Sequence, residues 1–426
     1  MKSRTKCLRP VGNAAGNVEV QMSLPMAAVL RDVQHAFFGL CVQAGKQVLT
    51  AMMEADRQTL CGPKGQPDAQ RRAYRGGHTD SSVVLAGQRI GVRRPRVRGI
   101  ESVEVGLPTF EWAAATDPLD RATMHAIAAG VTTRRYRGTV EELPKGEKSS
   151  SVSKSAVSRR FVALSTEQLH EWLARPLDAV DLPVVMIDGI CFGERVILIA
   201  LGIDAKGHKH VLGLREGSTE KAQVVKSLLS DLVERGLDAD RPRLWVIDGG
   251  KALRSAIVRM FGATALIQRC QEHKRRNVLE HLPKHLHANV SRILHDAWKT
   301  ADAKLAKRQL ERLASSIQGD HPGAAASMRE GLDETLTLQG LGITGALYRT
   351  LRTTNPIENL NGLIADYTHN VKRWRDGQMV LRWVASALSD ARARFRALRG
   401  FRDMPKLISV LQSRLQVDEP QQFQVA

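Results

Sequence analysis

Two short apolar runs, each closed by the same dipeptide, constrain the fold of this chain more than any other feature. Val184-Val185-Met186-Ile187 is followed by Asp188-Gly189, and Leu244-Trp245-Val246-Ile247 by Asp248-Gly249. Four apolar residues without polar alternation mark a strand covered on both faces, as at the centre of an α/β sheet. The neighbouring sequence supplies the rest of such a sheet. Arg195 to Ile203 and His210 to Leu214 read as two further strands. Val225, Leu228, Leu229 and Leu232 then recur at helical spacing, in a helix that Ser218 or Thr219 caps and Gly236 ends. A helix from Ala252 to Phe261 and a strand from Ala265 to Arg269 complete the series.

Three strands, a helix, a strand, a helix and a strand is the order of an RNase H-like core. Its first strands form a meander, and the fourth lies parallel to the first after a helical crossover. The two runs are then neighbours. Both aspartates are expected at strand ends on the carboxyl edge, where open α/β sheets place their sites, and each glycine leaves room for a metal or a phosphate. Glu358 is the third acid. Thr353-Thr354-Asn355-Pro356-Ile357-Glu358-Asn359 reads as an N-cap Asn355, Pro356 at the first helical position and Glu358 at the third. Ile357, Leu360, Ile364 and Val371 make the buried stripe. Asn361, Gly362 and Ala365 are small enough to let that face approach the sheet edge. Taken singly, an Asp-Gly after a strand is ordinarily a turn, and a glutamate at the third helical position is ordinarily a cap. Taken together, three hard oxygen ligands on rigid elements suit two Mg²⁺ ions about 4 Å apart, with Mn²⁺ as the expected substitute. One ion would activate an attacking water or 3′-hydroxyl and the other would stabilise the leaving oxygen.

Charge names the partner. Lys and Arg number 63 against 44 Asp and Glu in 426 residues, a net +19. Such a surface is drawn to a polyanion, and double-stranded DNA is the expected one. Residues 1–70 read as a helical N-terminal region, with a loose tail to about 24 and one or two helices from Met26 to Leu60. In the region 71–116, Val83-Val84-Leu85 and Arg89-Ile90-Gly91-Val92-Arg93 read as a short basic hairpin. Arg89 and Arg93 lie opposite Ile90 and Val92, and with Arg94 and Arg96 they suit phosphate contacts. The plainer reading of that ribbon is a solvated edge strand. Residues 117–176 read as a helix-turn-helix DNA-binding domain. A helix from Leu119 to Gly130 precedes one opening with Lys154, Ser155, Ser158, Arg159 and Arg160, small polar and basic residues suited to base edges and phosphates. Pro176 and Pro183 bracket a linker. The core would occupy residues 182–273 and 346–405, separated by an all-helical segment, 274–345, and followed by a tail, 406–426. The five cysteines are scattered without a Cys-x-x-Cys, which argues for a reducing compartment, and the longest apolar stretch is far too short for a bilayer. A soluble intracellular protein with no membrane and no small-molecule substrate is the expectation.

Several stretches resemble the mutator-type bacterial insertion-sequence transposases, RNase H-like DDE enzymes with an all-helical insertion. They are Asp188-Gly189, Asp248-Gly249-Gly250-Lys251-Ala252, Gln268 to Asn277 with its Arg-Cys-x-x-His, Arg352 to Asn359, and Val371-Lys372-Arg373-Trp374. They run in family order over about residues 180–400. The resemblance implies Asp188, Asp248 and Glu358 as the triad, terminal-inverted-repeat DNA as substrate, and strand transfer to target DNA. It also implies that 274–345 is the insertion, and a bacterial cytoplasmic, nucleoid-associated setting. Ala252 and Asn359 depart from the family's usual glycine and serine.

Cys270 and His273 follow the last core strand and are expected, with Asn355, to support the active site. Together with His281, His285 and His287 they also raise a zinc site as an alternative. Lys274, Arg275 and Arg276 extend the basic surface. Arg373-Trp374-Arg375 suits stacking on an unpaired base at a cut end, or else is a core tryptophan between solvated arginines. Synapsis of two ends calls for a dimer or a larger assembly. A stand-alone RNase H-like nuclease or resolvase, and a silent DNA-binding regulator, are the competing readings.

Overall fold

The computed structural model describes residues 11–12, 18–19, 33–66, 73–85, 88–99, 103–115, 149–151, 154–217, 221–392 and 395–418. The chain divides into two compact units, Met1–Leu164 and Ser165–Ala426.

In the first unit, two-residue strands β1 (Val11–Gly12) and β2 (Val18–Glu19) pair within the stretch expected as a loose tail. A 29-residue helix, α1 (Val33–Cys61), follows. The hairpin of β3 (Ala73–Leu85) and β4 (Gln88–Gly99) is much longer than the short ribbon expected. Val83, Ile90, Val92 and Val97 of this hairpin are buried. Leu49 and Met53 of α1 pack there with Ala113 and Leu107, next to α2 (Pro108–Ala115). Asp56 accepts the Thr109 N–H at 2.8 Å, which satisfies one of the free donors in the first turn of α2. β5 (Glu104–Val105) and β6 (Ser149–Ser151) extend the hairpin at its two ends. The helix from Leu119 to Gly130 lies outside the described residues. Of the expected helix-turn-helix only α3 (Lys154–Ala174) is described, its residues divided between the two units.

The second unit is built on a five-stranded sheet of order β11-β10-β7-β8-β9. β7 (Val184–Phe192), β8 (Arg195–Ile203) and β9 (Lys209–Glu216) form the antiparallel meander. Helix α4 (Ala222–Glu234), whose N-cap is Lys221, crosses to β10 (Arg243–Ile247), parallel to β7. Residues 218–220, where the cap was expected, lie outside the described residues. Helix α5 (Lys251–Phe261) leads to β11 (Ala265–Arg269), parallel to β10. This is a mixed α/β architecture consistent with an RNase H-like core.

The unbroken apolar runs have a simple cause, since both faces of the central strands are covered. Val184, Met186, Leu244 and Val246 face one core, while Val185, Ile187, Trp245 and Ile247 face the other, against α4 and α5. All eight are fully buried, each contributing about 1.5–3 kcal/mol. Leu177 and Leu182, in the stretch expected as a linker, are buried as well.

Beyond β11 the chain is helical: α6 (Gln271–Glu280), α7 (Lys284–Lys299), α8 (Ala303–Ile317), α9 (Pro322–Arg329), α10 (Thr337–Gly340) and α11 (Gly345–Leu351). Several of these enclose their own core around Trp298, Leu294 and Leu310. Then come α12 (Asn355–Thr368), α13 (Gly377–Arg392) and α14 (Met404–Asp418). α14 occupies much of the stretch expected as a tail. It is held by the fully buried Met404 and Leu407, which join the core on the α12 side of the sheet. Among the described residues no helix is long and apolar enough to cross a membrane.

Candidate active site

Strand register assembles the site. Ile247 pairs with Ile187 on one side and with Arg269 on the other. The next residues along the three strands, Asp188, Asp248 and Cys270, therefore form a row across the sheet. The row is fastened by the Cys270 N–H, which donates to the Ile247 carbonyl at 2.8 Å. One expectation needs correction here, because Asp188 is not at a strand end. β7 continues to Phe192, and Asp188 pairs opposite Ile199. The apolar run stops at Ile187 because two-sided burial stops there, while the hairpin ladder with β8 goes on.

Asp248 does end its strand. Its Oδ1 accepts the Gly250 N–H at 2.9 Å, a local turn that breaks β10 and opens α5. Between them Gly249 adopts a φ of +104°, and a Cβ there would lie 2.0 Å from Arg269 Nε. This glycine makes room for an arginine rather than for a metal or phosphate. Arg269 in turn donates to the Glu330 carbonyl at 3.0 Å.

Helix α12 delivers the third acid. Its N-cap is Thr354, one residue earlier than expected, and Asn355 is an exposed first helical residue. Thr354 rather than Asn355 lies against the acid, its hydroxyl donating to Glu358 Oε1. The Thr354 hydroxyl oxygen lies 3.3 Å from Cys270 Sγ and 3.3 Å from His273 Nδ1. A hydroxyl has one proton to give, so while it donates to Glu358 its lone pairs are free to accept from the imidazole, and the Thr354 N–H, at 3.5 Å, is the donor facing Cys270 Sγ. One turn further on, Asn361 Nδ2 donates to Asp188 Oδ2 at 2.9 Å. Thr354, Glu358 and Asn361 stand at i, i+4 and i+7, a single helix face turned to the carboxylate row. Thr354 and Asn361 are the residues that sequence reasoning missed. The helical spacing was there to find them, but only the placement of α12 against β7 says which polar residue meets which.

Electrostatics mark the same place. Burial, above all, pushes Asp188 up to about 6; the charges of Asp248 and Glu358 add to this, and the Gly189 N–H and His273 oppose it. His273 is raised by its hydrogen bond to Cys270, despite burial, and further by the Glu358 and Asp248 charges. Burial would raise the Cys270 thiol, but hydrogen bonds from His273 and Thr354 outweigh it and leave the thiol below its ordinary value. A divalent cation would relieve the repulsion that Asp188, partly out of water, feels from Asp248 and Glu358, and an all-oxygen donor set suits Mg²⁺, although in this structure the ligand atoms of the three acids do not all lie within 4.8 Å of one another. Among the described residues, the set whose ligand atoms do lie within 4.8 Å of one another is Cys270, His273 and Glu358. Sulfur, nitrogen and oxygen together suit zinc. Zinc held there would take Glu358 from the other two acids. His281, His285 and His287 are not part of this group.

The residues expected on DNA divide sharply. Arg89 and Arg93 are exposed opposite the buried Ile90 and Val92, as the alternation requires. Arg94 and Arg96 are instead paired with Glu104, at 2.7 and 2.9 Å. Lys154, Ser155 and Arg159 are exposed on α3, Ser158 and Arg160 are half-buried, and Val157 and Phe161 pack inward. Lys274 contradicts its expectation. It is 1% exposed and donates to the Ser327 and Glu330 carbonyls at 2.6 and 2.7 Å, so its ammonium is structural. Arg275 pairs with Glu272 at 3.0 Å, whereas Arg276 is exposed. Arg373 and Arg375 are exposed on either side of a half-buried Trp374, whose ring meets Phe192 edge-on at 5.1 Å.

Comparison with known proteins completes the picture. A family model described as transposase, Mutator family, matches residues 21–397. The transposase for insertion sequence element ISRM5 of Rhizobium meliloti is 27% identical over 80% of this chain and 84% of its own length. The transposase for IS256 in transposon Tn4001 of Staphylococcus aureus is 30% identical over 68% of this chain and 74% of its own. The transposase for IS1081 of Mycobacterium tuberculosis is 28% identical over 80% and 82%.

Proposed function

The chain belongs to the Mutator family of transposases, and from that premise we propose that Asp188, Asp248 and Glu358 are its catalytic triad. The protein would bind the terminal inverted repeats of its insertion sequence, cleave the ends and join the freed 3′-hydroxyl to target DNA. One observation carries the reading. Asp188 and Asp248 occupy adjacent positions on neighbouring parallel strands, and the helix bearing Glu358 is hydrogen-bonded onto Asp188 through Asn361.

Magnesium ions bound by the three acids would activate the attacking oxygen and stabilise the leaving one. The chain's own residues prepare that arrangement. Asp188 is a ligand only when ionised, and its raised pKa makes the neighbouring Asn361 and a cation its natural partners. Thr354 fixes the Glu358 carboxylate, and Cys270 and His273 position Thr354. His273, drawn toward its charged form, tempers the negative charge of the site. The exposed arginines Arg89, Arg93, Arg159 and Arg276 would take DNA phosphates, which neutralises charge without reading sequence. Two ends held together imply a dimer or larger assembly on DNA in the bacterial cytoplasm.

Asp188→Asn, Asp248→Asn and Glu358→Gln should each bind inverted-repeat DNA like the wild type and lose both cleavage and joining in Mg²⁺. Full cleavage by any of them would remove that acid from the triad. Cleavage by the wild type without joining would favour a stand-alone nuclease, and DNA binding with neither activity would favour a silent regulator.

A further inference from the structure

Beyond the carboxylates, β7 runs on for four residues and ends at a cavity of about 740 Å³ lined by Phe192 and Trp374. That volume falls within the roughly 300–1,000 Å³ of sites that enclose a drug-sized ligand. Arg195, Lys221, Lys372 and Arg373 also line it. Arg195 is engaged with Glu216, whose carboxylate fills the space beside Gly377. Lys372 and Arg373 are exposed at the rim. Paired aromatic rings with cations around them are what a nucleic-acid base and its phosphates require. The half-buried Trp374 ring offers a stacking surface to any base, with the buried Phe192 packed edge-on against it, and the cations meet the backbone.

Position ties this cavity to the carboxylates. Side chains alternate along a strand, so Asp188, Ile190 and Phe192 share one face of β7, with Phe192 about 13 Å beyond Asp188 at ~3.3 Å per residue. Phe192 and α12 residues Ile357 and Leu360 belong to the same core. Stacked DNA rises about 3.4 Å per nucleotide, so 13 Å is about four steps at most, and fewer for an unstacked strand. An intact duplex is too wide to enter a cavity of this size, whereas a single unpaired nucleotide fits it.

We propose that the Phe192–Trp374 cavity is a pocket for one unpaired nucleotide of the processed DNA strand, within about four nucleotides of the phosphate at the carboxylates. Trp374 stacks on the base, Phe192 supports the indole from the core, and Lys372 and Arg373 hold the flanking phosphates. The relation of the pocket to the cut rests on the triad assigned above. The pocket itself can be tested without cleavage.

The test uses full-length protein and two 30-base-pair DNAs of the same sequence, one intact and one with a four-nucleotide single-stranded gap carrying a central 2-aminopurine. Wild type should bind the gapped DNA more tightly than the intact one and quench the 2-aminopurine. Trp374→Ala should lose the quench and about tenfold in affinity for gapped DNA, while binding intact DNA as before; Trp374→Phe should keep most of both. Arg373→Glu, at an exposed position that leaves the core alone, should weaken gapped-DNA binding severalfold. Asp188→Asn should quench like the wild type. An unchanged quench in Trp374→Ala, an equal loss on both DNAs, or full affinity in Arg373→Glu would each overturn the pocket. So would displacement of the gapped DNA by an equal concentration of deoxyadenosine monophosphate, which would mark a site for free nucleotide. A protein that quenches without cleaving would keep the pocket and refute the triad. One that cleaves without quenching would do the reverse.

Discussion

Asp188 carries the largest shift among the three acids. Its carboxyl is shifted from 3.8 to about 6, which places about 3 kcal/mol against its ionised form. The folded chain therefore binds more protons than the unfolded chain across that window. Stability without metal is highest below pH 4, as far as this group goes, and falls as pH rises through 6. Asp188→Asn removes the charge and keeps the Asn361 contact within reach. In EDTA at pH 7.5 it should melt several degrees above the wild type, with the gap closing toward pH 4. A lower melting point for the variant would show that the charge is already compensated. Thr354 gives a second prediction. Thr354→Val keeps the shape and loses the hydroxyl, so kcat for end cleavage should fall about 10–100-fold with DNA affinity unchanged, and Thr354→Ser should restore it. Equal activity of the valine variant would mean that Glu358 needs no such support.

Elements show what was legible in the sequence and what was not. The two apolar runs announced strands covered on both faces, and the alternation around Ile90 and Val92 announced which hairpin arginines face solvent. Periodicity carries such information because burial follows it. The position of Asp188 within its strand was hidden, because a hairpin ladder can continue after the apolar run has ended. Lys274 was hidden for a different reason. A Lys-Arg-Arg run reads as solvated surface, and only the packing of α6 against α9 shows two carbonyls waiting for that ammonium. Burial pulls Lys274 down to about 8, a sign of how far it has left water. Lys274→Ala should therefore cost about 3–5 kcal/mol in denaturant unfolding, by stranding buried acceptors, and leave DNA affinity nearly unchanged in whatever fraction folds. Arg276→Ala should do the opposite, lowering affinity and reducing the salt slope by about one while leaving stability alone. Reversal of these two outcomes would return Lys274 to the DNA surface.

At the scale of the whole molecule, a net charge of +19 would draw the chain to DNA, and under the proposed function the carboxylate row would act on it there. The family match spans residues 21–397, and so takes in described parts of both compact units. What joins charge to chemistry is the claim that Asp188, Asp248 and Glu358 hold divalent metal. The most direct measurement replaces one oxygen ligand by sulfur. Asp248→Cys should leave inverted-repeat DNA uncut in Mg²⁺, which prefers oxygen, and recover measurable cleavage in Mn²⁺, which tolerates a thiolate better. Equal cleavage by Asp248→Cys in both metals would contradict a metal-binding role for this carboxylate.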